Sequence, residues 1–339
     1  MSQLPAPDPL PEREAPIDAQ DFAGLRERSE PVVLRGLANH WPAVAAGREG
    51  PKAIVDYLTD LGSIRTVNAL AAHPREGGRF FYKSDLTGLN FVTGRGQLET
   101  FLSDLLAAAG MHDPPGLAVQ SEFLDETMPA FLADNGLDLL PDVRPRIWIG
   151  NRIRVAPHYD VKENVAICVA GERRFTLFPP DQIANLYPGP FELTPAGTPV
   201  SMVDPYAPDL DRYPNFVKAW NSARQATLAP GDAIYMPYGW WHGVESLDPV
   251  SILVNYWWTE DEGAQRARPY DALVHALYAF RHMPPRERAI WRSMLDYYVF
   301  ESDGDPAAHL PDHAKGVLGP PSPELFRHMR GIMDQVMRS

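Results

Sequence analysis

The 339-residue sequence predicts a mainly β protein, a sandwich or barrel flanked by helices at both ends. Three observations predict it. Short runs of β-branched and aromatic residues recur between 143 and 258, each closed by turn residues such as Ala170-Gly-Glu172, Pro179-Pro180 and Pro230-Gly-Asp232. No helical period links these runs, so they do not read as βαβ units. The 35 prolines favour short elements joined by rigid turns over long helices.

In chain order, residues 1–15 are polar and Pro-rich and read as a flexible leader. Residues 16–142 read as an α/β part packing on the barrel. Within it, Pro31–Leu37 is a short strand stopped by Gly36, residues 51–61 and 96–110 are helical, and 126–135 is a short helix. Leu98, Phe101, Leu102, Leu105 and Leu106 recur at spacings of three and four. Residues 78–91 form an aromatic-rich strand and turn. The β core spans 143–262, with strands at 146–150, 164–169, 173–178, 225–228, 233–236 and 250–257. A helical region fills 263–339. Its last helix, 323–337, is capped by Ser322 with Pro323 in the first position.

Composition narrows the function classes. The net charge of −13 repels phosphate backbones and disfavours nucleic acid as a partner. A single cysteine, Cys168, excludes an internal disulfide and every multi-cysteine metal site. No apolar run is long enough to span a membrane, and no basic-then-apolar leader opens the chain. A soluble cytoplasmic protein is therefore expected.

Two segments carry chemistry. In Ala156-Pro-His158-Tyr-Asp160, residues two apart in an extended chain share a face, so an imidazole and a carboxylate project to one point. Gly231-Asp-Ala-Ile-Tyr-Met-Pro-Tyr-Gly-Trp-Trp-His242 is a strand and turn that delivers a second imidazole. Together His158, Asp160 and His242 have the composition of the two-His-one-carboxylate triad of non-haem Fe(II) oxygenases, which leaves positions open for cosubstrate and dioxygen. A His-x-Asp triplet alone is common on surfaces; its place at a strand end in a β region sets this one apart.

The stretch 31–258 resembles the JmjC/cupin-like 2-oxoglutarate-dependent oxygenases, in the branch containing the asparaginyl hydroxylase of hypoxia-inducible factor. The resemblance rests on Pro157-His-Tyr-Asp160, Asn164, Gly171-Glu-Arg-Arg-Phe-Thr-Leu-Phe-Pro-Pro180, Pro230-Gly-Asp232, Pro237-Tyr-Gly-Trp-Trp-His242, Val244-Glu-Ser246 and Val254-Asn-Tyr-Trp257. Pro31-Val-Val-Leu-Arg-Gly36 with His40-Trp-Pro42 adds to it. It implies a double-stranded β-helix (a jelly-roll or cupin barrel), Fe(II) on His158, Asp160 and His242, and 2-oxoglutarate and O2 as cosubstrates. Arg173 matches the position of the basic residue that pairs with the distal carboxylate of 2-oxoglutarate, with Arg174 as its neighbour and competitor. Asn164, Asn255 and Gln120 match polar positions of the cosubstrate pocket. Val155 stands where the family often has Thr or Ser, and the segment Ala118–Gln120 lacks a Tyr found in some relatives.

The resemblance further implies hydroxylation of a substrate C–H, or demethylation through hydroxylation, with release of succinate and CO2. The substrate would be a protein or peptide side chain or a small molecule. Tyr82, Lys83, Asn90, Trp148 and Trp257 are candidate substrate contacts, and the Pro-rich 182–220 insertion is expected to wall the cleft. By analogy the C-terminal helices offer a homodimer interface, and packing of the same helices on the barrel of their own chain is an equal alternative. Two other readings stand beside this one: a cupin-type dioxygenase or isomerase that does not use 2-oxoglutarate, and a non-catalytic binding protein on the same barrel.

Overall fold

The structure is a computed structural model that describes residues 4–259 and 269–338. By internal contacts the chain divides into two units, 1–259 and 260–339. The domain boundary expected at 262/263 lies outside the described residues.

The described residues of the first unit hold fifteen strands: β1 (Asp8–Pro9), β2 (Glu12–Glu14), β3 (Val32–Arg35), β4 (Val67–Ala72), β5 (Arg79–Phe80), β6 (Phe91–Gly96), β7 (Gly116–Phe123) and β8 (Pro145–Gly150). β9 (Arg154–Tyr159), β10 (Glu163–Ala170), β11 (Arg173–Phe178), β12 (Arg224–Leu228), β13 (Ala233–Met236), β14 (Trp241–Ser246) and β15 (Ser251–Trp258) follow. They form a six-stranded sheet, β1-β12-β11-β14-β9-β5, and a nine-stranded sheet, β2-β3-β13-β10-β15-β8-β7-β4-β6. From β8 to β15 the chain passes back and forth between the two sheets, the winding of a jelly roll, so the mainly β cupin-type fold is the one observed.

Strict alternation explains the packing. Ala166 and Cys168 of β10 and Leu253 of β15 join Phe175, Leu177, Ala226 and Leu228 in a core between the sheets. Val165, Ile167 and Val169, with Ile252, Val254 and Tyr256, turn the other way and pack with Phe22, Val44, Ile54, Leu58 and Leu102. Those last residues lie on the helices Ala19–Glu27, Pro42–Glu49, Pro51–Leu61 and Leu98–Ala109. Strands buried on both faces must be apolar at successive positions, which is why β10 and β15 read as continuous apolar runs. Each fully buried Leu or Ile on those helices contributes about 1.5–3 kcal/mol of transfer free energy.

Three readings of the N-terminal region change. Residues 8–14 are not a free leader: Asp8 and Pro9 pair in parallel with Arg224 and Gln225, and Glu12–Glu14 pair with Val33–Arg35. A buried Leu10 and the Arg35–Glu12 ion pair (2.5 Å) pin the segment where proline content alone suggested freedom. The line at 142/143 does not separate two structures, since β7 pairs β8 and β4 and β6 continue the same sheet. The short helix read at 126–135 is a helical turn, Leu124–Thr127, followed by a 3-10 turn, Pro129–Ala133, because Pro129 interrupts it.

The second unit contains helices Pro269–Phe280, Pro285–Tyr298 and Pro323–Arg338. The Ser322 cap is present, its Oγ accepting from Leu325 N at 3.1 Å. No helix among the described residues is long and apolar enough to cross a membrane.

Candidate metal and cosubstrate site

The triad is assembled by one strand pair. His242 of β14 lies directly opposite His158 of β9, and Trp241 opposite Tyr159. A bulge then lets Ala156 and Pro157 oppose the single residue Gly243. Pro157 has no N–H to give to a ladder, and its ring passes over Gly243, where a Cβ would meet Pro157 Cγ at 3.2 Å. The bulge also resets the alternation, so Val155 and His158 both face inward. Asp160 follows at the end of β9, its backbone oxygen accepting from Gly239 N at 3.0 Å.

His158, Asp160 and His242 each offer a ligand atom, and these atoms lie within 4.8 Å of one another. His158 Nδ1 is 3.0 Å from Ala156 O, and His242 Nδ1 is 3.1 Å from Trp240 O. A carbonyl oxygen only accepts, so both Nδ1 atoms carry the proton and both Nε2 atoms keep a lone pair. Asp160 Oδ2 is buried with no hydrogen-bond partner, 3.6 Å from His242 Nε2. A buried carboxylate oxygen with no donor is unfavourable without a cation beside it. The donor set therefore fits an oxygen- and nitrogen-ligated divalent metal such as Fe(II).

Burial is the main cause that pushes His242 down to about 4, with nearby His158 acting in the same direction and Asp160 opposing. The imidazole is thus neutral in the fold at neutral pH, as a metal ligand must be. Because the folded value lies below the ordinary 6.5, this histidine adds no penalty above pH 6.5 and destabilises the metal-free fold progressively as pH falls from 6.5 to about 4. Thermal unfolding of the metal-free protein across that window is expected to show a falling Tm, and His242→Gln is expected to flatten the slope by about one proton.

A cavity opens on the triad. Its wall includes His158, Asp160, Asn164, Arg173, His242, Ser246, Asn255, Gln120, Trp148 and Trp257. Arg173 is 5% exposed, and burial pushes it down to about 10. Its Nε donates to Ser251 Oγ at 2.7 Å and its Nη2 to Ser251 O at 3.3 Å. No carboxylate pairs with it among the described residues. Arg174 points to the opposite face of β11 and pairs with Glu245 at 2.9 Å, so it is not the cavity cation. Register decides between them: Arg173 opposes Ser246, and Phe175 opposes Val244, both inward pairs.

Asn255 Nδ2 donates to Asn164 Oδ1 at 2.9 Å, while Asn255 Oδ1 and the indole nitrogens of Trp148 and Trp257 are buried without partners. The two indoles meet edge to face at 5.8 Å and form wall. Val155 and Ala118 both line the cavity as apolar groups. Pro195, Ala196 and Val200 of the 182–220 insertion line it too, and the insertion is anchored through Leu186, Val203, Phe216 and Trp220 against Phe178 and Trp241.

The candidates from 78–91 are not brought to this wall. Asn90 braces its own turn, its Oδ1 accepting from Phe81 N and its Nδ2 donating to Glu76 Oε2 and Arg79 O. Tyr82 is buried against Phe81, Ala156 and Val200, and Lys83 is exposed beside Gly88. Aromatic and amide residues in a turn serve folding as readily as binding, and here the turn uses them. Ser246 enters the sequence reading only within Val244-Glu-Ser246, without a role, and Ser251 not at all. Counting back by twos from Asn255 along β15 reaches Ser251, and that was the available signal.

A barrel whose two sheets enclose an inward-facing two-His-one-Asp group is the architecture of metal-dependent cupins. The family model described as a cupin-like domain matches residues 19–264, and the chain belongs to this JmjC/cupin family of 2-oxoglutarate and Fe(II) oxygenases. Among curated relatives, Jumonji C domain-containing protein 5 of Drosophila melanogaster is 30% identical over 256 residues, 74% of this chain and 59% of that protein. Lysine-specific demethylase 8 of Danio rerio is 27% identical over 241 residues, 68% of this chain and 53% of that protein. HSPB1-associated protein 1 of Homo sapiens is 38% identical over 135 residues, 39% of this chain and 26% of that protein. The chain thus spans between a quarter and three fifths of the length of these relatives.

Proposed function

We propose that this protein is a 2-oxoglutarate-dependent Fe(II) hydroxylase that oxidises a C–H bond of a protein or peptide side chain, or of a small molecule, releasing succinate and CO2. The observation that carries the proposal is Arg173, a buried cation with no acid paired to it among the described residues, on the same cavity as the triad. Such a charge is costly unless an anion joins it, and a dicarboxylate cosubstrate brings one. A cupin that uses no dicarboxylate has no need of this cation, and a pure binding module has no need of three converging ligand groups.

His158, Asp160 and His242 would hold Fe(II). When bound together, Fe(II) and 2-oxoglutarate couple decarboxylation by O2 to oxygen insertion into the substrate. The chain's own residues do the rest. The carbonyls of Ala156 and Trp240 fix the two imidazole tautomers. Arg173 orients the distal carboxylate. Leu70, Phe80, Ile153, Pro195, Ala196 and Val200 exclude water and wall the substrate's approach. Among the described residues Asp160 is the one acid of that wall, and the metal would claim it, so an uncharged reacting group suits the cavity better than a cationic one.

The test is succinate formation by purified protein with Fe(II), ascorbate, O2 and 2-oxoglutarate. Slow turnover without added substrate is expected. Absence of both turnover and 2-oxoglutarate binding would overturn the reading.

We also propose a cytoplasmic homodimer formed through the C-terminal helices. Trp291, Tyr298 and Phe300 are 40%, 52% and 69% exposed, and such apolar surface is ordinarily covered in a stable assembly. Light scattering is expected to give twice the chain mass, falling to one in Trp291→Glu; a wild-type monomer would contradict this.

A further inference from the structure

The buried cation does not stand by itself. Ser251 holds one whole edge of it: Oγ accepts from Nε at 2.7 Å and the backbone oxygen accepts from Nη2 at 3.3 Å. Ser251 is fully buried at the first position of β15, opposite Gly150 of β8, on the sheet facing the one that carries Arg173. A guanidinium has two edges that can meet a carboxylate with parallel N–H bonds, one formed by Nε and Nη2 and the other by the two Nη atoms. With the first edge occupied, only the second remains for a ligand.

We propose that Ser251 is a positioning residue for cosubstrate binding, fixing Arg173 so that the distal carboxylate of 2-oxoglutarate is met end-on by the Nη1–Nη2 edge. This rests on the functional reading above and adds to it a residue outside the cavity wall. Val155 and Ala118 line the cavity without a hydrogen-bond donor on their side chains, which makes the orientation of Arg173 more consequential. A lysine at 173 would have no such edge, so the role exists only with arginine in place.

The test measures binding to Mn(II)-loaded protein without turnover, by calorimetry, with two ligands. 2-Oxoglutarate has the distal carboxylate, and 2-oxobutanoate keeps the metal-chelating end without it. In Ser251→Ala the Kd for 2-oxoglutarate is expected to rise about 10- to 100-fold, the range for a hydrogen bond to a charged group. The Kd values for Mn(II) and for 2-oxobutanoate are expected to stay within about twofold. Ser251→Thr, which keeps the hydroxyl, is expected to restore most of the affinity. In an Arg173→Lys background the same Ser251→Ala change is expected to have almost no effect, since the bonded edge is gone.

An unchanged 2-oxoglutarate Kd in Ser251→Ala overturns the inference. So does an equal loss for both ligands, or an equal penalty in the Arg173→Lys background, either of which marks a packing defect. If the wild-type protein itself fails to prefer 2-oxoglutarate over 2-oxobutanoate, it is the hydroxylase reading that falls.

Discussion

Replacing Asp160 with alanine is expected to lower metal affinity at least about 100-fold and to abolish succinate formation. An outer-shell partner already costs up to about that much when removed, and Asp160 is a direct ligand. The substitution also removes a buried oxygen that has no partner in the metal-free protein. The two effects have opposite signs: metal binding is lost, while the metal-free fold is expected to be as stable as wild type or slightly more so. Equilibrium dialysis with Fe(II) under anaerobic conditions and thermal unfolding in chelator measure them separately. A destabilised metal-free protein would mean that Asp160 serves the fold.

Arg173→Met has a similar two-sided signature at the other end of the cavity. The 2-oxoglutarate Kd is expected to rise about 100- to 1,000-fold, because the distal carboxylate is then buried without its cation. Metal affinity should stay unchanged, since the triad's tautomers are set by Ala156 and Trp240, not by Arg173. In the empty protein the methionine is expected to be stabilising. Burial holds Arg173 near 10 against an ordinary 12.5, and its positive charge costs about 3 kcal/mol while no anion is bound. The sign follows from linkage: a cation with a lowered folded value destabilises the fold at every pH below about 10, and the penalty fades above it. Unfolding midpoints with and without 2-oxoglutarate therefore should cross, the wild type gaining from the ligand and Arg173→Met gaining little.

The triad was legible in the sequence because its chemistry is local. His158 and Asp160 are two residues apart at a strand end, and His242 follows a turn whose Pro237-Tyr-Gly239 punctuation marks where the strand begins. Asn255 was reached through the family resemblance, and the structure turns it and Trp257 toward the cavity. The choice between Arg173 and Arg174 was not legible, because parity along β11 is set by its register with β14, a contact across some 70 residues. Ser251 escaped for a related reason: its partner belongs to the opposite sheet.

The strands missed in the first 142 residues have weak local signals. β4 is Val67-Asn-Ala-Leu-Ala-Ala72, with little β-branching, and β6 carries two glycines at the sheet edge. Both form because neighbours offer a ladder, β4 lying between β6 and β7. The proline-rich first segment pairs at sheet edges, where missing donors cost least. Asn90 is a candidate contact only through the resemblance, which sets its segment beside the active-site mouth, whereas its three hydrogen bonds go to Phe81, Glu76 and Arg79 of the same segment.

The most direct measurement is an anaerobic titration of the Fe(II)-loaded protein with 2-oxoglutarate, followed by visible absorption. One iron per chain and a charge-transfer band that saturates at one equivalent of cosubstrate are expected in wild type, with the band lost in Asp160→Ala. Iron that binds with no absorbance response to 2-oxoglutarate, or a response that survives in Asp160→Ala, would mean that these three side chains do not hold a metal for this chemistry.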